Sequence, residues 1–199
     1  MKSLFPLLIF LFFFSCANPT TGSNNTAETD SISGRKLVEQ GFLDLAEPQN
    51  IDELKSAVID SFYIYASENG NFVPIDAEEL AEGSFNFFLP QLNAVLKKRA
   101  VELRVEQTET HSLDMIIVLN GEKLTLYTDN EMKKGNFWDT ASRNFFKKVN
   151  SLLAQKSVKE RFYLLYEGNG LAAILLTDKQ FEIIEKHYQR EPKEIPYSP

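Results

Sequence analysis

Residues 113–128 read LDMIIVLNGEKLTLYT. Two apolar, β-rich runs flank Asn120-Gly121, the pair that most readily takes the positive φ angles of a type I′ turn. A two-residue loop here sets Ile117 opposite Leu124 and Met115 opposite Leu126. One face of the hairpin is then apolar, which supports that register. Strands joined this tightly are antiparallel, because a parallel pair needs a crossover of a dozen or more residues.

The same kind of punctuation recurs on both sides. Upstream, Val101, Leu103 and Val105 alternate with Glu102, Arg104 and Glu106, the period of a half-buried strand. Downstream, Trp138, Ala141, Phe145, Val149 and Leu152 recur at helical spacing over 137–155, with Arg143, Lys147 and Ser151 opposite. This places Trp138, the single tryptophan, on the inward stripe. Runs at 162–166 and 171–176 bracket Gly168-Asn169-Gly170 as a further hairpin. Thr177 and Gln180 then form a capping box opening a helix through His187. The tail 191–199, EPKEIPYSP, carries three prolines and is expected to be extended.

Toward the N-terminus, Val38, Phe42 and Leu45 predict a helix over 34–46 that stops before Pro48. Ile51, Leu54, Val58 and Phe62 continue as the stripe of a second helix. FYIYA at 62–66 is aromatic and β-branched, Asn69-Gly70 is a turn signal, and 72–75 reads as the returning strand. Residues 76–82 start an acidic helix, Gly83 and Pro90 break the pattern, and 90–100 is a helix with Leu92, Val95 and Leu96 inward. Hairpins followed by helices give an α+β fold: an antiparallel sheet built of hairpins with helices packed on one face. The three strand–turn–strand–helix units are compatible with duplication and equally with ordinary α+β construction.

The whole chain has 199 residues, 43% of them hydrophobic, and a formal charge of −7. That composition excludes collagen-like and wholly disordered classes. The charge argues against a sequence-independent nucleic-acid binder, which needs surplus cations to displace phosphate counterions. Residues 1–15, MKSLFPLLIFLFFFS, join a basic start to an apolar run of about 11 residues. Such a run is too short to span a bilayer and right for the core of a signal peptide. It holds five of the 16 phenylalanines, which leave the fold with it.

Cys16, the only cysteine, follows this run directly. The sequence through Ser15-Cys16 resembles a bacterial lipoprotein lipobox, with Phe13 and Phe14 standing where that motif usually has Leu and a small residue. The resemblance implies cleavage before Cys16, lipidation of Cys16 with diacylglycerol and an N-acyl chain such as palmitate, and anchoring in the cell membrane or outer membrane. Loss of Lys2 with the leader takes the formal charge from −7 to −8. Residues 16–33 are small and polar and read as a flexible tether. Residues 34–190 then form a single α+β domain.

Candidates for chemistry are sparse. His111 falls in a loop near Glu109 and Asp114, and His187 at a helix C-terminus where a cation is favourable. Neither has a second His or Cys beside it, so no metal and no cofactor is expected. Glu78, Glu79 and Glu82 are a carboxylate cluster of the kind that runs glycoside hydrolysis. The helix-start reading is the stronger one, because acids at a helix N-terminus are expected on dipole grounds. The EGNG of 167–170 lacks the following helix that a phosphate site requires. Tyr63, Tyr65, Tyr163 and Tyr166 lie on predicted strands, so alternation turns some outward as a possible binding surface.

Three functions follow as expectations. The first is a lipid-anchored envelope protein with a non-catalytic, protein-binding domain. The second is a lipidated immunity protein. FYIYASENGNFVPI followed by DAEEL, together with LAAILLTDKQFEII, resembles the small α+β immunity proteins of bacterial toxin systems, which implies a toxin as partner. The third is an envelope hydrolase. The expected partners are the membrane, through the anchor, and an envelope or toxin protein.

Overall fold

A computed structural model describes residues 23–107 and 113–199. The leader, Cys16, Glu109 and His111 lie outside the described residues. The fold is α+β. Among the described residues are seven α-helices: α1 (Ser23–Glu39), α2 (Ile51–Ser61), α3 (Ala77–Ala81), α4 (Leu89–Lys97), α5 (Asp129–Lys134), α6 (Phe137–Gln155) and α7 (Asp178–His187). Six strands form two antiparallel sheets rather than one. The first has the order β1 (Phe72–Pro74), β6 (Ala172–Leu176), β5 (Arg161–Leu165). The second has the order β2 (Val105–Gln107), β3 (Met115–Leu119), β4 (Glu122–Tyr127).

The central strand β6 explains the layering. All five of its residues are buried, and they alternate between two cores. Ala173 and Leu175 join the larger core with residues of α3, α4, α6, the 3-10 turn at Phe85–Phe87 and the second sheet, including Phe85, Leu92, Phe145 and Ile117. Ile174 and Leu176 face the smaller one with Leu37, Leu54, Val58 and Ile184 of α1, α2 and α7. The first sheet is therefore covered on both faces, which a continuous apolar run such as AAILL requires. Helix α1 begins at Ser23, within the stretch read as tether. It crosses α2 where Gly34 stands: a Cβ there would lie 2.1 Å from the Val58 carbonyl oxygen, so only glycine permits the approach.

The Asn-Gly hairpin forms as expected, with Asn120 at φ 51° and Gly121 at φ 84°. Ile117 pairs with Leu124, but Met115 pairs with Tyr127 instead of Leu126, because the register shifts between Met115 and Ile116. Leu126 stays buried, and its carbonyl accepts from Asn144 Nδ2 of α6 at 3.0 Å. The second hairpin pairs Tyr163 with Ile174 and Leu165 with Ala172, and the Thr177–Gln180 capping box starts α7.

Residues 62–66 do not form the expected strand. Phe62 closes α2 in the left-handed region at φ 48°, and Asn69 Nδ2 donates to the carbonyls of Tyr63 and Ile64 at 3.1 Å each. Those carbonyls are thereby withdrawn from any ladder, and β1 pairs with β6 instead. The expected strand 101–106 shrinks to β2 for a similar reason. The Leu103 N–H and C=O both pair with the Asn93 side-chain amide, at 2.8 and 2.9 Å. Asn120 accepts from Arg104 N and donates to Glu102 O. Helix α5 escapes the periodicity because it is short. Its local signals, the Thr128–Glu131 capping box and Gly135 at φ 76°, are nonetheless complete.

The outer edge of β5 is closed three times. The Asn150 amide of α6 pairs with both backbone groups of Phe162, at 2.7 and 2.9 Å. Tyr197 exchanges backbone hydrogen bonds with Leu164, and its hydroxyl donates to the Tyr166 carbonyl at 2.9 Å. The tail is extended at this point, after a 3-10 turn at Pro192–Glu194.

His187 is half-buried, with its ring packed inward, rather than a solvated helix-end cation. Its side chain is 9% exposed and stacks on Phe62 at 3.7 Å between centroids, with Nε2 3.5 Å from an Asp30 carboxylate oxygen of α1. Nδ1 is buried without a hydrogen-bond partner. Burial holds the imidazole below its ordinary pKa, against the opposing pull of Asp30 and Glu191.

Two consequences are measurable. Asn150→Ala strips both partners from Phe162 and is expected to cost about 1–3 kcal/mol. This reads as a lower urea midpoint at unchanged slope, and a wild-type midpoint would contradict the edge-cap role. His187 has a lowered folded pKa, so the unfolded chain binds its proton more readily. Its contribution to stability is present at neutral pH and is lost as pH falls below about 6.5. His187→Gln is expected to flatten the stability profile in that window. An unchanged slope between pH 6.5 and 5 would show that His187 is not the group responsible.

Candidate functional site

The four tyrosines singled out from sequence separate in the fold. Tyr163 is 2% exposed and stacks on Phe181 at 4.4 Å, so it is core. Tyr63 is 51% exposed on the loop after α2. Tyr65 and Tyr166 come together edge to face at 6.5 Å, and Tyr65 also stacks on Tyr188 at 5.9 Å. What gathers them is the tail. The Tyr65 hydroxyl donates to the Glu194 backbone carbonyl, and the Tyr166 hydroxyl donates to the Glu194 carboxylate at 2.6 Å.

Tyr166 ends β5 in the left-handed region at φ 60°, which swings its ring out over the tail, 39% exposed. Burial together with Glu194 pushes its hydroxyl up to about 12. Burial likewise pushes Tyr197 up to about 12, against the neighbouring Arg143 charge. Tyr65 and Tyr188 are raised by burial as well. All four hydroxyls stay neutral across the physiological range, and those of Tyr65, Tyr166 and Tyr197 donate hydrogen bonds.

Two pockets lie on either side of Tyr197 and Glu167. The first, about 380 Å³, is walled by Tyr166, Pro192, Lys193, Ile195 and Tyr197. The second, about 250 Å³, is lined by Trp138, Asp139, Ser142, Arg143 and Tyr197 among others. Arg143 is fixed from three sides: Nε donates to both Asp139 carboxylate oxygens at 2.8 and 2.9 Å, Nη1 donates to Ser198 O at 3.1 Å, and the guanidinium lies 4.7 Å from the Tyr197 ring centroid. Its pKa is raised further above the ordinary value, chiefly by the Asp139 hydrogen bond.

Trp138 departs from the expectation of core packing. It is 37% exposed, because α6 turns Ala141, Ser142, Phe145, Phe146, Val149 and Leu153 inward. Phe137, packed on Tyr127 at 5.0 Å, takes the inward place in the first turn, and Trp138 is left at the pocket margin. The i,i+4 spacing of Asp139 and Arg143 was available in the sequence. The arrival of Tyr197 from the tail was not.

The carboxylate cluster has a local explanation. Asp76 Oδ1 accepts from the backbone N–H groups of Glu78 and Glu79, so these two acids form the capped start of α3, while Glu82 is its C-cap. Among the described residues, no group of three or more His, Cys, Asp or Glu is placed to hold a metal ion, and no helix is long and apolar enough to cross a membrane. No family model, curated protein or solved structure matches the chain.

Proposed function

We propose that this chain is a lipid-anchored protein of the cell envelope, held at the cell membrane or outer membrane through Cys16, with an α+β domain that binds another protein without catalysis. The observation that carries the binding reading is the tail face. Tyr166, Ile195 and Tyr197 wall a pocket of about 380 Å³ beside Pro192, and Arg143 and Trp138 lie just across Tyr197. Trp, Tyr and Arg are the residue types that dominate binding energy at protein interfaces. The tail and the Glu194 hydrogen bonds hold the tyrosines in place beforehand, which reduces the entropy lost on association.

The acidity of the chain adds the partner's sign. A formal charge of −8 after loss of the leader steers toward a basic surface and speeds encounter at low salt. A basic toxin neutralised at the membrane fits that description, as does a basic envelope protein.

The test has two arms. The mature protein is expected in the detergent phase of a phase-separating detergent, with Cys16→Ala in the aqueous phase; unchanged partitioning of the variant overturns the anchor. For the domain, a partner crosslinked to wild type in intact envelopes is expected to be lost with Tyr166→Ala and with Ile195→Asp. Retention of the same partner by both variants overturns the assignment of the tail face.

A further inference from the structure

The pocket of about 250 Å³ differs in chemistry from its apolar neighbour, and we infer that it binds the end of an uncharged oligosaccharide. Six side chains carry the argument: Trp138, Asp139, Ser142, Arg143, Glu167 and Tyr197. Trp138, 37% exposed, offers flat apolar surface at an otherwise wet site, which suits the C–H face of a pyranose ring, and the Tyr197 ring under the Arg143 guanidinium bounds the pocket. Asp139 and Glu167 accept hydrogen bonds and Arg143 donates them. A ring with hydroxyls around its rim and apolar faces above and below uses both sets at once.

Charge narrows the ligand further. One guanidinium stands between two carboxylates, so a phosphate or carboxylate ligand meets net negative charge. The Asp139 carboxylate is already paired with Arg143 at 2.8 Å, which leaves a cation only Glu167 as counter-ion, with the guanidinium close by. A neutral polyol uses the same groups as hydrogen-bond partners and needs no counter-ion. The polar groups are also held before any ligand arrives: the Asp139–Arg143 pair is clamped by the Tyr197 ring and the Ser198 carbonyl, and the Ser142 hydroxyl donates to Trp138 O at 2.9 Å. Groups fixed in this way lose little freedom on binding. The volume lies below the roughly 300–1,000 Å³ of sites for drug-sized ligands, which limits the ligand to a terminal ring with the rest of the glycan outside. This site shares Trp138, Arg143 and Tyr197 with the face proposed above to bind a protein, but it is tested by sugar binding to the purified chain and that reading by crosslinking with Tyr166 and Ile195 variants, so the two fail separately.

Trp138 is the only tryptophan, so its emission reports on this pocket directly. The full chain in detergent is titrated with chitotetraose, cellotetraose, maltotetraose and mannotetraose. At least one is expected to give a saturable change in emission. Asp139→Asn and Glu167→Gln are expected to weaken it about fivefold or more, and Trp138→Ala, read by calorimetry, about tenfold. Wild-type melting temperatures in the two conservative variants separate loss of binding from loss of fold. No saturable response to any of the four sugars overturns the proposal. So does binding that survives both conservative variants, or a stronger response to inorganic phosphate or trilysine. With a responsive sugar in hand, sedimentation with insoluble wall polysaccharide and binding to a glycoprotein before and after glycan removal distinguish a wall-borne ligand from a protein-borne one.

Discussion

In a three-stranded sheet two of the three strands are edges, and each edge exposes backbone groups that must find partners. In this fold the partners at several edges are side-chain amides. A primary amide presents one acceptor and a donor side by side, the same pair that a neighbouring strand offers. Asn150 takes that place beside Phe162 and Asn93 beside Leu103. Asn120 bridges Glu102 and Arg104. Each ties a strand, or a strand's extension, to a neighbouring helix or turn, so the edge caps also position the layers. At Leu164 the edge is closed by real backbone, that of Tyr197, in the isolated bridge found among the described residues.

That single bridge accounts for the candidate site. The tail's prolines at 192, 196 and 199 lack N–H donors, so it cannot continue as a long strand. It is fixed instead by side chains: Tyr65 and Tyr166 on Glu194, and Arg143 on Tyr197 and Ser198. Of these contacts, Tyr166, Tyr197 and Arg143 also line the two pockets. Edge closure and surface chemistry are thus built from the same contacts.

The parts of the fold that were legible in the sequence are local. Asn120-Gly121, Gly168-Asn169-Gly170 and the Thr177–Gln180 box each specify a turn or cap within a few residues, and the hairpins and α7 follow from them. The pairing of Phe72 with Ile174 joins distant segments, and no local signal announces it. FYIYA has strand composition, yet Asn69 takes two of its carbonyls, so a side-chain contact overrides propensity. Of the tyrosines read as a surface, Tyr166 and Tyr65 meet at the tail, while Tyr163 faces inward because β5 is buried on both sides. Phe137 and Trp138 both fit the period of the stripe that α6 buries. Only the packing of Phe137 on Tyr127 decides between them.

Amide hydrogen exchange in the wild-type protein tests the edge closure most directly. The amides of Phe162 and Leu103 face asparagine side chains, and that of Leu164 faces the tail. All three are expected to exchange as slowly as Ile174 in the central strand, near the limit set by global unfolding. Exchange of Phe162 and Leu103 at rates typical of open strand edges, with Ile174 still protected, would contradict the account.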